Sequence, residues 1–445
     1  MVRPISELET QLANRRYRRR HSKDKPPDNR AEGERDRDRI LYSSAYRRLG
    51  GVTQVVWARE EGHLFHNRLT HSAKVAQLGQ RIAQKLEREA KKSTTLRRTV
   101  VALGGLDPNV AEAAGLGHDL GHPPFGHIAE DALKAHIRAE GVPDGFEGNA
   151  QTFRIVTKLA AHDEDMPGLN LTWATLNALL KYPKMADGVA EKYGAYSTEQ
   201  EDFDWARQGL GLAPEERSLE AQIMDWSDDI AYAVHDLEDF FRAGLIPMAM
   251  FDTVHDLRSV WDAVEGKWHS EWGDLPLKRD QEEVFGTVVV LFPAHGPWHA
   301  TRTERARLRS YTSSRIGQLV GRTSLTAQGL DVARSARIEA EFLKQLTREY
   351  VINGPMLTTQ QAGQIRLVEQ LYAMLRDALK TGNAKVFPAH AAEEVAEALE
   401  EPENKELGCR AAADVISGLT EAQAVHLYQR LAGVDFGPLL DPAVL

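Results

Sequence analysis

A single cysteine, Cys409, is all the thiol this 445-residue chain carries. That excludes a disulfide-stapled scaffold and fits a reducing compartment, so the expectation is a cytoplasmic protein. Long apolar runs are lacking too. The longest, residues 284–292, is about half of the roughly 18 residues that a membrane span needs. No charged-then-apolar stretch resembling a secretory leader opens the sequence, and no internal repeat is visible. What is left is a soluble globular chain, long enough for two or three domains and a substantial core.

Basic residues are outnumbered overall, 55 Lys/Arg to 65 Asp/Glu, but they are unevenly spread. The formal net charge is -10, yet residues 1–50 hold 14 Lys/Arg against 8 Asp/Glu. The run Arg15-Arg16-Tyr17-Arg18-Arg19-Arg20 reads as a solvated, poorly ordered arm. The sharper alternative is a contact with phosphate or single-stranded nucleic acid. Residues 21–35 are polar with Pro and Gly punctuation, the composition of a linker.

Regular structure is expected from Arg35. Ile40, Leu41, Ala45, Tyr46 and Leu49 recur at helical spacing in a basic amphipathic helix that Gly50-Gly51 ends. Residues 52–57 are β-branched enough for a short strand, half of a hairpin closing near Glu61-Gly62. Asn67 or Thr70 caps the next helix, whose stripe is Val75, Leu78, Ile82 and Leu86. His71 continues that stripe inward with Arg68 one turn before it, and a cation held beside an inward histidine invites an anion.

Residues 113–130 concentrate the chemistry, with three histidines and two acids. A small-residue helix runs into His118-Asp119 and is stopped by Gly121 and Pro123-Pro124. Adjacent residues project about 100° apart on a helix, so both can grip one ion only beside the axis edge, with other elements closing the shell. His127 and Glu130 stand three apart at the start of a helix over 127–140. The carboxylate there either orients a general-acid imidazole or makes an ordinary helix-start salt bridge.

Two shorter helical patterns cover 149–161 and 173–180, and Lys181-Tyr182-Pro183 marks a boundary. Ser218 opens a long helix with the stripe Ile223, Trp226, Ile230, Val234, Leu237 and Phe241. Asp225, Asp228, Tyr232 and Asp236 lie opposite, facing either solvent or a cleft. Beyond Gly244 the chain is helical without metal-type clusters. Arg302, Arg305, Arg307 and Arg309 precede Tyr311, and helices are predicted over 339–351, 358–380 and 420–432. The last opens on a Thr-x-x-Gln capping box.

In order along the chain, His71, His118-Asp119 and an acid of the 225–236 helix form an H…HD…D set. This resembles the HD superfamily of metal-dependent phosphohydrolases. Within it the chain is most similar to the deoxynucleoside triphosphate triphosphohydrolases, the dGTPase-like proteins. The resemblance is carried by Asp36-Arg37-Asp38-Arg39-Ile40, Tyr46-Arg47-Arg48-Leu49, Thr53-Gln54-Val55, Asn67-Arg68-Leu69-Thr70-His71-Ser72, the stretch from Gly117 to His127, and Asp228-Asp229-Ile230-Ala231-Tyr232. The combination is far more specific than any one block.

The resemblance implies a mainly α fold: an HD-type core over 36–245, an arm over 1–35, and a helical region over 246–445 that completes the substrate pocket and oligomer contacts, with at most a short β-hairpin near 52–66. It implies that His71, His118, Asp119 and Asp228 hold one divalent metal, Asp228 being preferred to Asp229 because it shares a face with Tyr232 and Asp236. Gln54 and Asp236 would meet the deoxyribose 3′-hydroxyl, Arg68 the α-phosphate, Tyr232 the sugar face, and Tyr311 would be a further substrate tyrosine. His127 steered by Glu130 would protonate the leaving group, and His122 occupies a slot that varies among similar proteins. Mixed nitrogen and oxygen ligands suit Mn, Fe, Co, Ni or Zn, with Mn favoured and Mg bound less readily through imidazole. The implied reaction is hydrolysis of a dNTP to deoxynucleoside and tripolyphosphate by a homo-oligomer that an effector dNTP can influence. The alternative is an HD nucleotidase or phosphodiesterase with two metals, His122 and His127 being extra ligands.

Overall fold

The structure, a computed structural model, describes residues 3–21, 28–54, 66–293, 296 and 298–435. It is built from helices, and among the described residues the one sheet is a two-stranded antiparallel hairpin.

Helix α1 (Ile5–Arg16) leads to α2 (Glu32–Leu41) and α3 (Ser44–Arg48). The single basic helix expected from Arg35 is divided because Ser43 caps a new start, its hydroxyl accepting from the Tyr46 amide at 3.1 Å. Three helices then form the centre: α4 (Arg68–Ala90), α6 (Pro108–Gly117) and, far along the chain, α11 (Leu219–Arg242), with α5 (Thr94–Ala102) between the first two. Asn67, not Thr70, caps α4, accepting from the Thr70 amide at 2.9 Å. The predicted stripes of α4 and α11 meet: Val75, Leu78, Ile82 and Leu86 share one core with Ile223, Trp226, Ile230, Val234 and Leu237. The small residues of α6 let it lie closer still to α4. A Cβ on Gly115 would stand 2.5 Å from the Cα of Ala76, so no larger residue fits there.

Around this centre lie α7 (His127–Ala139), α8 (Gly148–Arg154), α9 (Trp173–Leu179) and α10 (Gln200–Gln208). Next come α12 (Arg258–Trp272), α13 (Lys278–Val284) and α14 (Arg302–Gly321), strands β1 (Thr323–Thr326) and β2 (Gly329–Val332), and α15 (Arg334–Thr347). The chain closes with α16 (Pro355–Lys380), α17 (Ala392–Glu400), α18 (Lys405–Gly418) and α19 (Glu421–Leu431). Leu133 and Ile137 of α7 enter a separate core with Leu371 and Leu375 of α16 and Val415 and Ile416 of α18. The C-terminal helices are thereby fixed to the helix that begins at His127.

The hairpin expected near 52–66 falls mostly on residues outside the described set; its described ends make one antiparallel bridge, Thr53 to Asn67, and among the described residues the paired strands are β1–β2. One expectation changes. The N-terminal arginines are not a solvated arm, because each finds a partner within the chain. Arg16 is buried against Glu220, the first turn of α11, while Arg19 pairs with Glu32 and Asp36 and Arg20 with Asp202. Buried carboxylates elsewhere in the chain absorb the positive run that suggested an external anion.

Candidate active site

The residues that the HD pattern singles out converge. Arg68 and His71 occupy the first turn of α4, His118 caps the C-terminus of α6 with Asp119 next, and Asp228 projects from the middle of α11. His71 Nε2 lies 3.0 Å from Asp228 Oδ1, and His118 Nε2 lies 3.6 Å from the same oxygen. One ligand atom from each of these three residues falls within 4.8 Å of the others. His118 Nδ1 donates to the Gly115 carbonyl at 2.8 Å, which turns Nε2 into the group. That Nε2 is buried and has no hydrogen-bond partner. An orphaned imidazole nitrogen facing a second imidazole and a carboxylate is a donor set that fits a divalent cation.

Asp119 borders the group. Its Oδ1 is 3.4 Å from His118 Nε2, and its Oδ2 accepts from Arg68 Nη1 at 2.7 Å. Asp228 and Asp229 separate clearly: Asp229 is turned away to Lys344, whereas Asp228 meets the histidines and, through Oδ2, Lys181 at 3.3 Å. Burial alone would lower the His118 pKa, but Asp119 and Asp228 push it up to about 9. Asp228, against its own burial, is kept well below the carboxylate range by Lys181, His118 and His71. The site is electrostatically built to hold positive charge.

A second group stands beside the first. His122 Nδ1 is 3.2 Å from Asp119 Oδ1, its Nε2 is 3.3 Å from Glu130 Oε1, and His127 Nδ1 meets Glu130 Oε2 at 3.1 Å. Burial and the neighbouring Arg68 push His122 down to about 3, which keeps it neutral. Its companion His127 has a side chain 71% exposed, open to the cleft. Glu130, despite its burial, is held below the usual carboxylate range by His122 and His127.

Both groups open on a cavity of ≈ 410 Å³. Gln54, Arg68 and Tyr232 line it. Asp236 lies one turn beyond Tyr232 on α11, buried, with Oδ2 unpaired, and the Oε1 of Gln54 is likewise a buried acceptor without a donor. Burial and the nearby Asp239 raise the Asp236 pKa well above its ordinary value.

Tyr311 is a correction. It sits in the apolar core against Phe292, its hydroxyl donates to the Val288 carbonyl at 2.8 Å, and it does not line the cavity. Its position on the buried face of α14 satisfies it without a ligand.

Sequence reasoning missed several wall residues. Lys181 and Tyr182, taken as a boundary, line the cavity together with Asn149 and Lys192. Lys192 reaches Glu147 at 3.1 Å and Glu130 at 3.8 Å. Ile352, Leu357 and Gln361 close the cavity from the C-terminal half. The signal for Lys181 was a cation directly after a helix, too common to single out.

Residues 68–233 match the HD domain family and residues 330–430 the phosphohydrolase-associated domain. A deoxyguanosinetriphosphate triphosphohydrolase-like protein of Streptomyces coelicolor is 34% identical over 444 residues, covering 92% of this chain and 94% of its own length. Proteins of the same description from Corynebacterium efficiens and Thiobacillus denitrificans are 38% and 31% identical. The first covers 74% of this chain and 76% of itself, the second 94% and 95%.

Proposed function

Because this chain belongs to the deoxyguanosinetriphosphate triphosphohydrolase-like proteins, which carry an HD phosphohydrolase domain, we propose that it hydrolyses deoxynucleoside triphosphates to deoxynucleoside and tripolyphosphate. The observation that carries this reading is one cavity and what stands at its wall: His118 and Asp228 of the cation-binding trio, three basic side chains and Gln54 line it, with His71 and the buried, unpaired carboxylate of Asp236 just behind.

His71, His118, Asp119 and Asp228 would hold one divalent ion, Mn²⁺ being favoured by the mixed donor set. When bound, such an ion supplies Lewis-acid polarisation of the α-phosphoryl group and activation of water. Arg68 is placed to neutralise charge on the α-phosphate as it develops, and Lys181 and Lys192 offer counter-charge to the rest of the triphosphate chain. Gln54 and Asp236 can accept or share the hydrogen of a 3′-hydroxyl, satisfying acceptors that are otherwise unpaired. Tyr232 offers a ring face for the sugar.

Water attacks the α-phosphorus, the bond to the 5′-oxygen breaks, and that oxygen leaves as a hydroxyl only if it gains a proton. His127 is the donor in this reading, with Glu130 fixing its ring. His122 is kept neutral by its surroundings and serves to space Asp119 from Glu130. Incubating the protein with each of the four dNTPs and Mn²⁺ tests the proposal: tripolyphosphate and deoxynucleoside are expected as first products. Orthophosphate or pyrophosphate appearing first refutes it. Repeating the assay with a second dNTP added reads whether an effector nucleotide alters the rate.

One observation favours a second reading. His122, His127 and Glu130 also place ligand atoms within 4.8 Å of one another, so a two-metal nucleotidase or phosphodiesterase is the alternative. Two metal ions per chain by elemental analysis would support it, and one would oppose it.

A further inference from the structure

The loop 120–126, which carries His122 and delivers His127 to α7, has a strained path. Phe125 adopts φ 69°, a left-handed conformation unfavourable for a residue with a Cβ, and Gly126 follows at φ 63°. Such a path persists only where its surroundings impose it. The side chains that impose it come from far along the sequence.

Glu421, the first residue of α19, is 2% exposed. Its Oε1 accepts from the Phe125 amide at 3.3 Å and from the Thr53 amide at 3.0 Å, and its Oε2 accepts from the Thr53 hydroxyl at 2.8 Å. One carboxylate thus joins the strained loop to the residue preceding Gln54. Arg48 makes the complementary clamp. Its Nη2 donates to the Leu120 and His122 carbonyls at 2.7 and 2.9 Å, and its Nη1 donates to the Leu419 carbonyl at 3.1 Å, two residues before Glu421. The α18–α19 turn also presses close: a Cβ on Gly51 would stand 2.7 Å from Thr420 Cγ2. None of these contacts falls on His71, His118 or Asp228.

We propose that Glu421 and Arg48 are positioning residues, by which the C-terminal associated region sets the placement of His122, His127 and Gln54 in the cleft. The kinetic consequence rests on the proposed dNTP hydrolysis, whereas the structural consequence does not.

Glu421→Ala removes both acceptor oxygens and with them all three hydrogen bonds. Glu421→Gln is a near-isostere: its carbonyl still accepts from both amides, while its amide donates to the Thr53 hydroxyl, which turns to accept. Both variants of the full chain are compared with the parent by hydrogen exchange of the loop peptide, by Mn²⁺ titration and by dNTP turnover. In Glu421→Ala, exchange at the Phe125 amide is expected to rise about tenfold or more. There kcat is expected to fall about tenfold or more while Mn²⁺ affinity stays within about twofold, because donor placement and not the cation site is disturbed. Glu421→Gln should retain most of the parent's behaviour in all three measurements. Should the alanine variant fail to fold, Arg48→Lys is read the same way, since an ammonium cannot span three carbonyls as a guanidinium does. Unchanged exchange overturns the proposal. So does a parallel loss of turnover and Mn²⁺ affinity, which marks general destabilisation. If the parent protein turns over no dNTP, the functional reading fails and the exchange measurement alone decides this one.

Discussion

Two groups face each other across Asp119, each made of two histidines and a carboxylate, and their buried imidazoles are given opposite proton affinities. In the first, His118 lies among carboxylates and is pushed up to about 9. In the second, His122 has carboxylates at 3.2 and 3.3 Å as well, but burial and the nearby Arg68 outweigh them and push it down to about 3. The supports differ as well. The first group hangs on α4, α6 and α11, which pack on one another at the centre of the fold. The second rides on a loop with a strained residue, held in place by contacts from the C-terminal helices. A pair of imidazoles acquires two roles because the neighbours decide which charge each site will tolerate. The first group welcomes a cation, and the other keeps one neutral ring and one ring open to the cleft.

Breaking the first group should have the largest effect. Asp228→Asn removes the negative charge of the carboxylate that both His71 and His118 approach. Turnover is expected to fall on the order of a thousandfold or more, with Mn²⁺ binding by calorimetry lost in parallel. Asp229→Asn, whose carboxylate is turned to Lys344, should leave Mn²⁺ binding in place. Equal losses in the two variants would erase the distinction between neighbouring aspartates.

Breaking the second group should separate turnover from metal. His127→Ala is expected to lower kcat by about a hundredfold, the usual scale for losing a general acid, with Mn²⁺ affinity unchanged. A fall in bound metal from two ions to one would instead make the second group a metal site. The comparison would then become one between two cation sites.

How much of this division was readable from residues alone depends on where each side chain sits. The stripes of α4 and α11 declare themselves through helical periodicity, and with them the inward course of His71 and the common face of Asp228, Tyr232 and Asp236. Lys181 and Lys192 lie in irregular segments where no period constrains direction, so nothing marked them as facing the cavity. Glu421 acts across hundreds of residues, and its first-turn position on α19 looked like ordinary helix-start chemistry. The arginine run misled for a related reason. Local charge counting does not register that Glu220, Asp36 and Asp202 wait elsewhere as internal partners. Tyr311 was drawn toward the site by the arginines before it, yet it faces the core on the other side of its helix. The hairpin β1–β2 has strands of only four residues, too short for alternation to show.

The smallest expected effect is also the most direct reading of the contrast between the groups. His118 has its pKa raised from 6.5 to about 9 in the folded chain, so its bound proton stabilises the metal-free protein. That contribution is fully present below about pH 6.5 and is lost as pH rises through about 9. The same proton must leave Nε2 before that nitrogen can take a cation. Mn²⁺ affinity should therefore weaken as pH falls below about 9, by at most about tenfold per pH unit for one competing proton. Calorimetric titration at pH 7 in buffers of different ionisation enthalpy should register about one proton released per Mn²⁺ bound. His122, held near 3, has no proton to give at that pH. Release of no proton would mean that the acid-rich surroundings do not charge His118 and that the two groups differ in support but not in electrostatics, whereas release of two would draw a second imidazole into the first group.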